Sequence, residues 1–306
     1  MIPWTLAATL TIALFITAVL GIRTRRRVMQ RFEHLVESRH PMGADGIVIG
    51  AAAIRLDASP SHAVLLLHGF GDTPQSVAPL AHALHAAGWS VLAPLLPGHG
   101  RSLSQYAAAR EADWVGAAEQ AYSELQAQYD TVVLCGISMG AALATISAQA
   151  HPDIPAIALL APYFVTPRGV QLKIALATMF SAILPYHANA GSDRSIHDAE
   201  ARVRSLGTGV VTATSLAQLR LVATRARAAL PALRSRVLYL QSREDNRITI
   251  HDAEEQFARI GSATKVQRWL TGCGHIVTVD YCKDEVARQV IEWFAPALAS
   301  NTSSGN

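Results

Sequence analysis

From about Ala63 to Leu298, short and solidly apolar runs alternate with stretches whose apolar residues recur every three or four positions. Val64-Leu65-Leu66-Leu67 predicts a buried strand, and Val77, Leu80, Ala81 and Leu84 then follow at helical spacing. Val91-Leu92-Ala93 predicts the next strand. Trp114 to Leu125 predicts a helix with Asp113 as its N-cap. Val132-Val133-Leu134-Cys135 predicts a strand, followed at once by a helix from Met139 to about Gln149. Ile157-Ala158-Leu159-Leu160, Val237-Leu238-Tyr239-Leu240 and Val266-Gln267-Arg268-Trp269-Leu270 continue the series, and Glu285 to Leu298 closes it as an amphipathic helix. Runs that do not alternate suit strands covered by helices on both faces. Strands interleaved with helices suit a parallel sheet, so the expected class is α/β.

Two segments break this rhythm. Between Ala161 and Arg236 no clear strand is predicted. A connection so long is usually functional, and residues 162–232 are read as a mainly helical cap inserted over the sheet. The other segment is N-terminal. Ile2 to Ile22 carries no charged side chain and is followed by Arg23-Thr24-Arg25-Arg26-Arg27. A helix needs about 20 largely apolar residues to cross a bilayer. A cleaved signal carries its basic residues before the apolar stretch, not after it. Residues 2–22 are therefore expected to form a transmembrane anchor, 23–42 a basic linker and 43–299 the globular domain, with a disordered polar tail over 300–306. The positive-inside rule then puts all that follows the anchor on the cytoplasmic side of the cell membrane.

Composition narrows the classes further. Half of the 306 residues are hydrophobic and 16% are charged, which excludes extensive disorder. A net charge of +3 is too weak to imply a nucleic-acid partner. The three cysteines form no CxxC pair, and an odd count suits no complete disulfide framework but rather a reducing compartment. Cys135 ends an apolar run and reads as core, whereas Cys273 lies two residues from His275 and stands as an alternative nucleophile.

The main chemical signal is Gly136-Ile137-Ser138-Met139-Gly140. A serine hydroxyl attacks only when a base takes its proton and the fold aims it into a cleft. A Gly-x-Ser-x-Gly turn between a strand and a helix does the aiming, and here both neighbours are predicted. The amide of Met139, at the start of that helix, is one candidate oxyanion donor. The amide of Phe70, in His68-Gly69-Phe70-Gly71 directly after the first strand, is the other. His68 itself reads as a structural hydrogen-bonding group rather than a base. The base is expected late, with the acid before it. His275, in the loop before the last helix, fits the base, and Asp245, just past its strand, fits the acid. Glu244 is a rival for the acid; Asp252 and Asp280 lie beyond that loop. His82 and His85 suggest no third metal ligand, and no phosphate-binding loop occurs, so no metal or cofactor is expected.

From about Ala63 to Leu298 the chain resembles the α/β-hydrolase superfamily, and within it the bacterial carboxylesterases and monoacylglycerol lipases with a small helical cap. The resemblance rests on Leu-Leu-His-Gly-Phe at 66–70, Pro-Gly-His-Gly at 97–100, Asp113-Trp114, the serine pentapeptide, the Asp245 loop and Gly-His-Ile-Val-Thr-Val-Asp at 274–280. It implies Ser138, Asp245 and His275 as a triad, with Phe70 and Met139 as oxyanion amides. It further implies an acyl ester substrate, cleaved through an acyl-enzyme. An acyltransferase or thioesterase would use the same triad, and a non-catalytic hydrolase-like binding protein would lack one of its members.

Overall fold

The computed structural model describes residues 4–189 and 194–299. A long helix, α1 (Trp4–Arg39), precedes β1 (Ile54–Leu56) and β2 (His62–Leu67). Helix α2 (Ala78–Ala86), β3 (Ser90–Ala93), α3 (Leu103–Ala108) and α4 (Glu111–Gln126) follow. Next come β4 (Thr131–Ile137), α5 (Met139–Ala150) and β5 (Ala156–Leu160). The strand-poor stretch holds α6 (Arg168–Phe180), β6 (His187–Ala188), α7 (Ala199–Arg204), β7 (Val210–Val211) and α8 (Ala213–Ala229). The chain then returns as β8 (Arg236–Ser242), α9 (Ile250–Ala258), β9 (Lys265–Leu270) and α10 (Lys283–Ala299).

Seven strands form one sheet in the order β1-β3-β2-β4-β5-β8-β9, parallel throughout except where β1 pairs with β3. β6 and β7 make a separate antiparallel pair. Alternate residues of each central strand feed two buried clusters. Ala63, Leu65 and Leu67 of β2 join Trp114 of α4, Leu143 of α5 and Val222 of α8 on one face. Val64 and Leu66 join Leu84 of α2 and Val286, Val290 and Phe294 of α10 on the other. Because both faces are dry, the runs contain no polar alternation. After β2 the chain crosses to β3 on one side and later to β4 on the other. The carboxyl ends of adjacent strands leave a crevice where such a reversal occurs.

Several expectations are corrected. The transmembrane anchor over 2–22, and with it the membrane partner and the cytoplasmic placement at the cell membrane, is overturned. Among the described residues no helix is long and apolar enough to cross a membrane. The described apolar residues are one end of α1, which runs without a break through Arg23 to Arg27 as far as Arg39. Its second half is no linker but is seated on the domain. Met29, Phe32 and Val36 pack with Leu103, Tyr186 and Val210, and Arg25 donates to the carbonyls of Ser181 and Ala182. Ile2, Pro3, the Gly/Ser/Asp stretch at 190–193 and the polar tail at 300–306 lie outside the described residues.

Asp113 is not the N-cap of α4. The helix begins two residues earlier, and the Asp113 carboxylate reaches back to accept the Arg110 amide at 2.8 Å. Nor does the cysteine set suit a reducing compartment, for Cys273 and Cys282 form a disulfide. Cys135 is the buried free thiol, which burial pushes above its ordinary range. Bonded Cys273 is no free nucleophile.

Candidate active site

Ser138 follows β4 directly and precedes the first residue of α5. Its backbone is held at φ 55°, ψ −114°, a region that L-residues with a side chain rarely occupy. Such strain persists only where the surroundings dictate it. Here two glycines let three backbone segments touch. A β-carbon at Gly136 would lie 2.3 Å from the carbonyl of Gly140, and one at Gly140 would lie 2.1 Å from the Leu67 carbonyl oxygen. The Ser138 amide donates to the Leu160 carbonyl (2.9 Å), and the Ser138 carbonyl accepts from Tyr163 (3.2 Å). The turn is thus clamped between β2 and β5.

Asp245 and His275 arrive from loops after β8 and β9. His275 is nearly buried, with its Nδ1 2.7 Å from Asp245 Oδ2 and its Nε2 2.9 Å from Ser138 Oγ. An ionised carboxylate only accepts, so Nδ1–H donates to Asp245 and Nε2 is left to accept the serine O–H. Asp245 Oδ1 accepts the amides of Arg247 (2.6 Å) and Ile248 (3.0 Å), and Oδ2 also accepts Gln241 Nε2 (2.8 Å). Burial alone would raise the Asp245 carboxyl. The His275 charge and hydrogen bond, with the two amides, outweigh it and hold the carboxyl below its ordinary value.

The other candidates have different places. Glu244 accepts the Gly272 amide at 2.7 Å and faces His197 rather than His275. Asp252 is tied to Thr249 at the start of α9. Asp280 accepts backbone amides around the histidine loop. His68 is wholly buried: its Nδ1 bonds the Gly69 carbonyl (2.9 Å) and its Nε2 accepts the Leu96 amide (3.1 Å). Burial keeps its pKa well below the imidazole range, so it stays neutral and staples the exit of β2 to the loop after β3.

Phe70 lies in that same exit, and a β-carbon on Gly69 beside it would meet the Ser138 β-carbon at 3.5 Å. The Phe70 ring meets His99, Tyr106 and Trp114 at centroid distances of 6.2, 5.6 and 5.9 Å. Trp114 Nε1 donates to the Pro97 carbonyl (3.0 Å). The motifs at 97–100 and 113–114 thus brace the loop that carries the first oxyanion candidate. Met139 opens α5, where the first-turn amides have no partner within the helix. Two buried polar residues near the site escaped the sequence reading. Gln241 is a buried polar side chain directly after the apolar run 237–240 of β8, a signal that was visible. Asp72 lies just past Phe70 within a turn, where its burial left no mark. Burial pushes its carboxyl up to about 6, against the Thr73 amide, the Ser76 hydroxyl and His275.

A family model described as serine aminopeptidase, S33, matches residues 58–281. A thermostable monoacylglycerol lipase of Bacillus sp. (strain H-257) is 32% identical over 76% of this chain and 90% of its own. A carboxylesterase of Bacillus subtilis (strain 168) is 24% identical over 76% of this chain and 91% of its own. Among solved structures, one from work on two metagenome-derived lipolytic enzymes superposes with a TM-score of 0.74. It is 26% identical and covers 82% of this chain and 99% of that one.

Proposed function

The chain belongs to the serine aminopeptidase S33 family of α/β-hydrolases, and we propose that it cleaves acyl esters through Ser138, His275 and Asp245 by way of an acyl-enzyme. It is a carboxylic ester hydrolase by its kinship with a monoacylglycerol lipase and a carboxylesterase. The observation that carries the mechanism is the continuous path Ser138 Oγ to His275 Nε2 and His275 Nδ1 to Asp245, at 2.9 and 2.7 Å.

In this reading Ser138 Oγ attacks the ester carbonyl carbon as His275 Nε2 takes its proton. Asp245 keeps the imidazole in the required tautomer and stabilises the imidazolium. The amides of Phe70 and Met139 receive the developing oxyanion. As the tetrahedral intermediate collapses, His275 gives its proton to the departing alcohol oxygen, leaving an acyl-serine. Water then repeats the sequence, with His275 first base and then acid, and the carboxylic acid leaves. Residues 162–232 serve as the cap. Leu172, Leu176, Met179 and Phe180 of α6, all exposed, give it an apolar character that favours medium or longer acyl chains, monoacylglycerols among them.

A fluorophosphonate probe tests the mechanism. The expected result is one adduct per chain, on Ser138, with Ser138→Ala losing both label and ester turnover while unfolding at the wild-type temperature. Absence of an adduct on the folded protein sinks it. A series of monoacylglycerols of increasing chain length tests the substrate reading, which fails if short acetate esters are turned over best.

A further inference from the structure

His275 is held by its neighbours on both sides. Gly274 donates its amide to Asp280 Oδ2 at 2.8 Å, and Ile276 donates its amide to the Ser195 carbonyl at 2.9 Å. A β-carbon on Gly274 would come within 2.7 Å of that same Ser195 oxygen, so the two backbones lie in direct contact. Asp280 is fully buried. Besides Gly274 it accepts the amides of His197 (2.8 Å, Oδ2), Asp198 (2.9 Å, Oδ1) and Tyr281 (2.9 Å, Oδ1). Four donors fill the two oxygens of a carboxylate. Two of them belong to the histidine loop and two to the segment leading into α7, more than eighty residues earlier. Those amides hold the Asp280 carboxyl below its ordinary value although burial opposes them.

We propose that Asp280 is a positioning residue for His275: its carboxylate locks the histidine loop onto residues 195–198 and so fixes the approach of Nε2 to Ser138. The inference rests on the reading of His275 as base and acid. Pinning the amides on either side of a residue fixes the root of its side chain. The two hydrogen bonds of the imidazole then have only its χ angles left to set. The loop has a second constraint in the Cys273–Cys282 disulfide, and Ser242 Oγ donates to the Cys273 carbonyl. Loss of the carboxylate is therefore expected to shift the loop rather than to unfold it.

Asp280→Asn provides the test. Its amide nitrogen would face two backbone N–H groups, leaving them without an acceptor. The readout is kcat/KM for two esters of one acid, p-nitrophenyl butyrate and glyceryl monobutyrate. Nitrophenolate leaves without a proton, whereas the glycerol oxygen needs one from His275. A misplaced imidazole therefore penalises the alkyl ester twice. The expected result is a loss of about a hundredfold on the alkyl ester and about tenfold on the aryl ester. Equal losses on both, as a purely structural role would give, overturn the proposal, as does no loss. Should Asp280→Asn fail to fold, Asp198→Pro is compared with Asp198→Ala. The backbone there has φ −63°, which proline adopts, and only the proline variant lacks the N–H. A further loss on the order of threefold, confined to the alkyl ester, is expected of it, and equality of the two variants overturns the proposal. A wild-type protein that hydrolyses neither ester and takes no label on Ser138 overturns the hydrolase mechanism, and this inference falls with it. An active wild type with an unchanged aryl-to-alkyl ratio in the variants overturns this inference alone.

Discussion

Replacing Gly140 by alanine adds one methyl group where three backbone segments meet. The new carbon would lie 2.1 Å from the Leu67 carbonyl oxygen, 2.5 Å from its carbon and 2.6 Å from the His68 oxygen. A close carbon–oxygen contact needs about 3.3 Å, so a separation of about 1 Å must be found. No rotamer can supply it, because every atom met is backbone. Leu67 cannot retreat either: it ends β2, which is paired with β4 at Gly136 and lies inside the sheet. The strain therefore falls on the junction of β4 and α5, where Ser138 sits. Overpacking costs about 1–3 kcal/mol, and rigid neighbours put this case at about 3 or above. That corresponds to a fall in Tm of about 6–12 °C. On the proposed mechanism a displacement of about 1 Å at Ser138 should also cost about a hundredfold in kcat/KM. The control is Gly116→Ala, at an exposed position inside α4 where a β-carbon meets nothing within 4 Å. It should gain up to about 1 kcal/mol and leave turnover unchanged. Thermal unfolding by circular dichroism and hydrolysis of one soluble ester read both variants. Gly140→Ala with the Tm and kcat/KM of the wild type would refute the reasoning.

Three further outcomes are expected. Asp245→Asn should lower kcat by about 10³–10⁴ with little change in Tm, because the amide can hold the imidazole in the wrong tautomer; a loss below tenfold in steady-state kinetics speaks against the assigned acid. Asp72, with a folded pKa of about 6, keeps its proton in the folded chain over a range where the unfolded chain has released it. Stability should therefore fall as pH rises from the ordinary carboxyl value towards 6 and stay low above it, by up to about 3 kcal/mol. Asp72→Asn should accordingly gain more Tm over wild type at neutral pH than near pH 4, and a gain that is equal at both sinks the assignment. Reduction of Cys273–Cys282 opens a short loop and should cost about 2–3 kcal/mol, read as a lower denaturant midpoint with thiol present. An unchanged midpoint would mean that the loop is held by its hydrogen bonds alone.

The central strands were legible because burial on both faces leaves unbroken apolar runs at the heart of β2, β4, β5 and β8. The elements at the rim were not. β1 is only three residues long, two half-buried and one exposed, and pairs antiparallel with β3, so its alternation is too short to detect. Ser138, Asp245 and His275 could be singled out as candidates because Ser138 directly follows a strand, Asp245 lies three residues past one and His275 sits in a short glycine-bearing loop, where local context suffices. Asp280 was passed over, since its partners at 197 and 198 are remote in sequence and are main-chain amides, which carry no residue signature. The disulfide escaped for a similar reason: an odd count of cysteines hides a pair when the third is buried in a strand. The N-terminal helix misled because apolar and basic segments side by side satisfy the pattern of an anchor. Whether Arg25 meets phospholipid or the carbonyls of Ser181 and Ala182 is decided by tertiary contact alone.

Ser138, Asp245 and His275 follow β4, β8 and β9, and α10 closes against α2. On the proposed mechanism a growing chain thus carries its nucleophile 137 residues before its base. Until β9 has taken its register on β8 and brought the His275 loop to Ser138, the Ser138 hydroxyl has no imidazole beside it. In that reading acyl transfer becomes possible only once both late loops are in place, so activity itself would report that the sheet has closed.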